Sequence, residues 1–334
     1  MRIVVLTCLA TLLLAVPAGA VVGGTLQDPA TVPWYADVGN CGGALVLPDR
    51  VMTAEHCVRN RGLDQLGVSV AGQIRAVRGV AMAPGWQHRN GTGNVFADVA
   101  IAVLDRPVDG VPSVELGGAV PERAAILGKG LTRAGASGSD LLLRRAELRT
   151  MSDAECRRTW GKARGNDGER FRGSTMLCGI DADGRAPLSS GCNSDSGGPF
   201  DTGSDSAPRI VGVVSYGGLK CGADHLPSVF AEVARFRSFV LAPSPTLAPV
   251  ATGPSRITKR GRRLRCSAPP FRNARKVTYR WTHIGPSGAP KVDGRGRRYR
   301  LRKRDRGHRL ICEVEGSNAG GPALAPPDSV AVPR

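Results

Sequence analysis

A chain of 334 residues exceeds one small domain and, at about 100–200 residues per domain, asks for two. Hydrophobic residues at 41 % and charged residues at 22 % exclude disorder, and 44 Gly and 24 Pro without a period of three exclude collagen and favour short strands and turns over long helical bundles. The net charge of +18 is unevenly placed, with 21 Lys/Arg against 5 Asp/Glu in Ala251–Arg334 and 24 against 23 in Val21–Val250, so the two parts present different fields to a partner.

Met1–Ala20 reads as a secretory signal: Arg2 is a positive n-region, Ile3–Val16 is largely apolar, and Ala18-Gly19-Ala20 fits a small-x-small cleavage site. The apolar run falls short of the roughly 20 residues a spanning helix needs, and no later segment is apolar enough for a transmembrane anchor. Eight cysteines follow the signal: Cys41, Cys57, Cys156, Cys178, Cys192, Cys221, Cys266 and Cys312. An even number in an exported chain implies disulfides, with the pairing left open. None has the tight C-x-x-C spacing of a zinc or redox site, no acidic loop suggests calcium, and no metal or cofactor is expected. Asn90-Gly91-Thr92 matches a glycan acceptor, a triplet common by chance.

From Val21 to about Leu241, short β-type runs stand between Gly, Pro and Asp, among them Gly43–Leu47, Val68–Val70, Val99–Leu104 and Ile210–Ser215. Ala231–Leu241 has the 3–4 spacing of a helix in Val233, Phe236, Phe239 and Val240. Ala242–Ser255, with four prolines, predicts an extended, semi-rigid linker. Arg256–Arg334 alternates with period two through Leu264 and Cys266, Val277, Tyr279 and Trp281, Tyr299 and Leu301, and Leu310, Cys312 and Val314, the pattern of strands.

Hydrolysis by a serine nucleophile needs a base, an acid that orients the base, and donors for the oxyanion. One candidate exists for each role: His56 in Thr53-Ala54-Glu55-His56-Cys57, Asp98 at the mouth of an apolar strand, and Ser196 in the turn Asp195-Ser196-Gly197-Gly198-Pro199. Each alone is weak. In this order, with Val21-Val22-Gly23-Gly24 at the head, Cys41-Gly42-Gly43 before the histidine, Cys192-Asn193-Ser194 before the serine turn, and Ser215-Tyr216-Gly217 after it, Val21–Leu241 resembles the chymotrypsin/trypsin-like serine peptidases.

The resemblance implies an all-β fold of two six-stranded antiparallel β-barrels with a C-terminal helix. It implies the disulfides Cys41–Cys57, Cys156–Cys178 and Cys192–Cys221, leaving Cys266 with Cys312. It casts Ser196 as nucleophile, His56 as base, Asp98 as its orienter, the backbone amides of Ser194 and Ser196 as the oxyanion hole, and Ser215, Tyr216 and Gly217 as an edge that pairs with substrate. It further implies that the Val21 amine, exposed by cleavage after Ala20, pairs with Asp195, so that signal removal and activation coincide. Two positions depart from the family pattern. Glu55 replaces a small residue beside the histidine, where it either raises the pKa of His56 or points to solvent. Ser194 replaces the glycine of the oxyanion hole. Ser190 at the pocket base, with Gly217 and Ser228 on the walls, predicts small or medium uncharged residues before the scissile bond.

In the second part, Cys266, Trp281, Tyr299 and Cys312 with alternating strands resemble a small immunoglobulin-like β-sandwich, and Asp305–Val314 followed by Ser317–Gly321 resembles modules appended to exported actinobacterial proteins. Seven cations within Arg295–Arg304 favour attachment to an anionic cell-surface polymer. The region lacks an RNA-binding aromatic pattern or a DNA-reading helix, so no specific nucleic acid is expected. The reading is a secreted, monomeric serine endopeptidase (signal 1–20, peptidase domain 21–241, linker 242–255, basic domain 256–334) acting on protein or peptide substrates. The alternative is a catalytically impaired peptidase-fold protein that binds through the basic sandwich.

Overall fold

The computed structural model describes residues 21–334 apart from 60, 85–86, 90–91, 95–96, 137, 139–140, 162, 164–169, 203–206 and 285–289. The expected signal, and Asn90 and Gly91 of the glycan triplet, lie outside the described residues. β-Branched residues fill a pleated, half-buried surface well, and the runs rich in them form strands. Those expected at Gly43–Leu47, Val68–Val70, Val99–Leu104 and Ile210–Ser215 lie in Cys41–Leu47, Val68–Val70, Ala100–Leu104 and Arg209–Tyr216.

The first half is a curled seven-stranded sheet in the spatial order Gln73–Arg75, Val68–Val70, Tyr35–Val38, Cys41–Leu47, Arg50–Thr53, Ala100–Leu104, Val77–Met82. Val38, Leu45, Val51 and Ile101 are fully buried within it. In the second half six strands close into a ring: Arg144–Met151, Arg123–Gly128, Pro199–Asp201, Arg209–Tyr216, Ser228–Glu232 and Met176–Asp181, which pairs back onto Arg144–Met151. Its core centres on Phe200 and Phe230, stacked at 4.0 Å. The expectation of two closed six-stranded barrels is therefore corrected for the first half, whose sheet stays open along Val77–Met82. Other chain covers that edge. Ala248 N–H donates to Val80 O at 2.7 Å, and Met82 N–H donates to Gly320 O at 2.9 Å. An edge strand left bare would template pairing with other chains.

The Pro-rich segment is consequently a strap and not a free spacer. The Arg50 guanidinium donates to the carbonyls of Ala242 and Pro243, Ala248 is buried against the first sheet's core, and Val250–Ala251 pairs with Phe271–Arg272. The helix expected at Ala231–Leu241 is Val233–Val240. Ala231 is instead taken by the ladder of Ser228–Glu232, opposite Val213.

The C-terminal part has a three-stranded sheet (Arg256–Arg260, Arg263–Ser267, Arg298–Arg300) and a five-stranded one (Pro290–Arg295, Lys276–Ile284, Arg309–Asn318, Gly321–Leu324, Asp328–Ala331). Both supply one core of Leu264, Cys266, Tyr299, Trp281, Leu310 and Cys312. The four disulfides are Cys41–Cys57, Cys156–Cys178, Cys192–Cys221 and Cys266–Cys312, the last joining the two C-terminal sheets.

Candidate active site

His56 lies on the short helix Glu55–Val58 that follows Arg50–Thr53, and Asp98 is buried just ahead of Ala100–Leu104. These neighbouring strands pair Ala100 with Thr53, which brings the two side chains together. His56 Nδ1 is 2.8 Å from Asp98 Oδ2, and the His56 backbone N–H donates to Asp98 Oδ1 at 3.0 Å. The carboxylate thereby fixes the proton on Nδ1 and leaves Nε2 as the free base.

A further donor is not legible in the sequence: Ser215 Oγ–H donates to Asp98 Oδ2 at 2.6 Å. The cause is a register slip. Val214 pairs with Phe230 and Tyr216 with Val229, so Ser215 is the extra residue of a bulge, a device that re-aims a side chain. Burial opposes ionisation of Asp98, yet the contacts from His56 and Ser215 outweigh it and hold the carboxyl below its ordinary value.

Burial also opposes charging of His56, but Asp98 and, more weakly, Glu55 overcome it, so the imidazole pKa stands above its ordinary value. Glu55 is fully buried, 3.7 Å from Arg59 Nε, so it does not point to solvent, and its carboxyl lies where it favours the charged form of His56. A Glu55→Gln chain is expected to have a less basic His56. Since the base must be neutral to act, the acid limb of kcat/KM against pH should move to lower pH. An unmoved limb would deny the coupling.

Ser196 and His56 line one cleft of about 230 Å³ together with Ser215, Tyr216, Gly217 and Ser228. No hydrogen bond joins His56 to Ser196 among the described residues; such bonds often tighten only with substrate bound. The serine turn is set by its glycines. Gly197 has φ +78°, and a Cβ there would come within 2.5 Å of Gly42 O, so only glycine fits. Gly42 N–H donates to Ser196 O at 2.8 Å, and Gly197 N–H to Val214 O at 2.8 Å, tying the turn to both halves.

The Asn193 carbonyl accepts from Leu131 N–H at 2.8 Å. Peptide planarity then turns the Ser194 N–H the opposite way. Among the described residues neither the Ser194 nor the Ser196 amide has a partner, leaving two donors available beside the nucleophile. Ser194 holds φ +74°, a left-handed conformation that costs a non-glycine residue about 1–2 kcal/mol. Ser194→Gly is therefore expected to raise the denaturation free energy by about 1 kcal/mol and kcat by up to about tenfold. Unchanged unfolding and unchanged kcat would remove strain from the account.

Asp195 is fully buried. Its oxygens accept from Gly130 N–H and Cys192 N–H, each at 2.8 Å, yet burial still pushes its pKa up to about 7. Val21 is fully buried in the second core, with Ile126, Leu148, Phe200 and Phe230. Val22 is bridged to Ser190 by two backbone hydrogen bonds of 3.1 Å.

Of the expected pocket residues, Gly217 and Ser228 line the catalytic cleft, whereas Ser190 lines an adjoining depression with Leu188, Asp224 and Leu226. Ser228 Oγ accepts from Gly191 N–H at 3.0 Å, standing between the two. The Tyr216 ring packs edge-on against Trp160 at 5.5 Å, and its hydroxyl donates to Met176 Sδ at 3.8 Å. The sulfurs of Cys41 and Cys57, although close to His56, are bonded to each other and are not thiolate ligands.

A family model described as Trypsin matches residues 21–240. Trypsin iota of Drosophila melanogaster is 27 % identical over 237 residues, covering 67 % of this chain and 88 % of that protein. Trypsin epsilon of Drosophila erecta is 27 % identical over 240 residues, covering 66 % and 86 %. Trypsin alpha of Drosophila melanogaster is 27 % identical over 239 residues, covering 67 % and 87 %.

Proposed function

The chain belongs to the trypsin family, and from that membership we propose that it is an exported serine endopeptidase whose basic C-terminal region holds it on anionic surfaces. The observation that carries the catalytic part is the His56–Asp98 contact at 2.8 Å in a cleft shared with Ser196. Ser196 Oγ attacks the scissile carbonyl while its proton passes to His56 Nε2. Asp98 keeps the opposite nitrogen protonated and stabilises the imidazolium. The oxyanion is received by the Ser194 and Ser196 amides, each such donor being worth about 10²–10³ in rate. His56 then protonates the leaving amine, and water, activated by the same imidazole, hydrolyses the acyl-enzyme.

Substrate lies along Ser215–Gly217 as an added strand. With Ser228 Oγ at the cleft's end and Ser190 beyond it, the residue before the cut is small or medium and uncharged. Removal of 1–20 exposes the Val21 amine, which pairs with Asp195. The region 256–334 is read as an immunoglobulin-like sandwich, a reading supported by the Cys266–Cys312 bond between its sheets and by buried Trp281.

The test is fluorophosphonate labelling of the exported protein beside a Ser196→Ala control, with the terminus sequenced. Labelling of a chain beginning at Val21, absent in the control, is expected. A Val21 terminus without labelling would overturn the catalytic reading in favour of a binding protein.

A further inference from the structure

The three-stranded sheet of the C-terminal part buries one face and exposes the other. Leu264, Cys266 and Tyr299 point into the core. The alternate positions Arg256, Arg260, Arg263, Arg265, Arg298 and Arg300 are exposed. The register sets Arg260 opposite Arg263, Arg263 opposite Arg300, and Arg265 opposite Arg298. Directly opposed like charges destabilise a sheet. Among the described residues no carboxylate lies within ion-pair distance of these six guanidiniums. Most of them line an open groove of about 1080 Å³. A face dominated by unneutralised arginines, with Thr258 and Ser267 between them, carries a self-repulsion that a polyanion would cancel.

We propose that this arginine face is a binding site for a linear phosphodiester polymer of the polyol-phosphate type, with one charge per repeat and no bases. The inference rests on the reading of the C-terminal region as an anchor and gives that anchor a site and a ligand. Guanidinium forks pair bidentately with phosphate oxygens. Opposed arginines on neighbouring strands have Cβ atoms about 5 Å apart, close enough for one tetrahedral phosphate to meet both. Along Arg263–Ser267 and Arg298–Arg300 successive exposed arginines stand about 7 Å apart, a distance that a three-carbon spacer between phosphates spans when extended, about 7 Å from its bond lengths. In a linear polyuronate successive carboxylates alternate sides, so only every second one would meet a flat face. A single-stranded nucleic acid would call for aromatic platforms for its bases. Tyr299 is buried, with its hydroxyl donated to Asp305, and the face carries no exposed ring among the described residues.

The experiment uses the full exported chain carrying Ser196→Ala to prevent self-cleavage. Binding to poly(glycerol phosphate), polygalacturonate and poly(U) is measured against salt. Arg263→Gln/Arg265→Gln/Arg298→Gln/Arg300→Gln is compared with Arg275→Gln/Lys276→Gln/Arg304→Gln/Arg306→Gln, a charge-matched variant off this face. Poly(glycerol phosphate) is expected to bind tightest. The face variant should weaken it at least about thirtyfold at 0.15 M salt and flatten the log–log salt slope by about 1.4, at about 0.7 for each of the two phosphates left unmet. The matched variant should keep more than half of the wild-type affinity. Equal losses in the two variants would reduce the effect to net charge and overturn the site. Tighter binding of polygalacturonate or poly(U) would overturn the ligand while leaving an anionic anchor standing. No binding of any polymer would overturn both the site and the anchor on which it rests. The same variants without the Ser196 change should cleave small peptides like the wild type, so a catalytic failure would be read separately.

Discussion

Ser196→Ala is expected to lower kcat by about 10⁶-fold and Asp98→Asn by about 10⁴-fold, the sizes characteristic of a Ser-His-Asp machine rather than values particular to this chain. The two losses have different causes. Without Ser196 no acyl bond forms, so burst kinetics vanish with the rate. In the Asp98→Asn chain the nucleophile remains, but the new amide N–H can occupy the place where Nδ1–H is now held at 2.8 Å. The imidazole proton then moves to Nε2, the nitrogen that must accept from Ser196. The pH profile separates this from a simple charge effect. Asp98 is the strongest influence raising the His56 pKa, so its removal makes the base neutral at lower pH. The acid limb should therefore move down while the plateau collapses. If the plateau survived, Asp98 would be only a packing residue. Substrate KM should change little in either variant, since neither side chain supplies the strand edge at Ser215–Gly217.

What is legible in the sequence and what is concealed divide along the range of the interaction. The short apolar run Ile210–Ser215 reports a strand by its β-branched composition, and Leu264–Cys266 by its period of two, because alternate side chains meet different surroundings locally. The triad order is legible because its three residues sit in short local segments of distinctive composition, His56 beside Cys57, Asp98 before an apolar strand and Ser196 in a glycine-rich turn. The Ser215 bond to Asp98 is not, because a bulge depends on how Arg209–Tyr216 registers against Ser228–Glu232 across the barrel. Glu55 beside His56 is visible, but its burial depends on Arg59 one helical turn on and on the strands around it. Proline content makes Ala242–Ser255 an extended segment, and composition says nothing of the bare edge at Val80 and Met82 beside which it lies. The helix at Val233–Val240 loses Ala231 to a ladder bond for the same reason: tertiary pairing overrides a local period.

Blocking the Val21 amine, by retaining residues before it or by acetylating it, is expected to lower kcat/KM by about 10²–10⁴-fold, and Asp195→Asn by a similar factor. The size follows from the roughly 3–5 kcal/mol lost when one partner of a buried ion pair is removed. Asp195 is the group that the proposed ammonium would serve. Two amide donors reach it, yet burial still leaves its pKa near 7 instead of the ordinary 3.8. With the amine blocked, the folded chain holds that proton longer than the unfolded chain does. Stability is then highest at low pH and is lost as pH rises from about 4 through about 7, by about 4 kcal/mol in all. With the amine free and protonated, its ordinary pKa being about 8, the pair restores the carboxylate and this decline disappears. Activity should instead fall on the alkaline side as the ammonium loses its proton. Melting temperature against pH for the blocked and free chains reads the first effect, and peptide hydrolysis reads the second. The neighbours of Asp195 give the reason to expect catalysis to follow the pair. A Cβ on Gly128 or Gly130 would stand within 2.6 Å of its Oδ1, and Cys192 N–H binds the other oxygen only two residues before Ser194. An Asp195 that turns away to find water must therefore pull on the Cys192–Ser196 turn and on the two amides meant for the oxyanion. A blocked chain with full activity and a flat stability profile would show that the turn keeps its shape unaided.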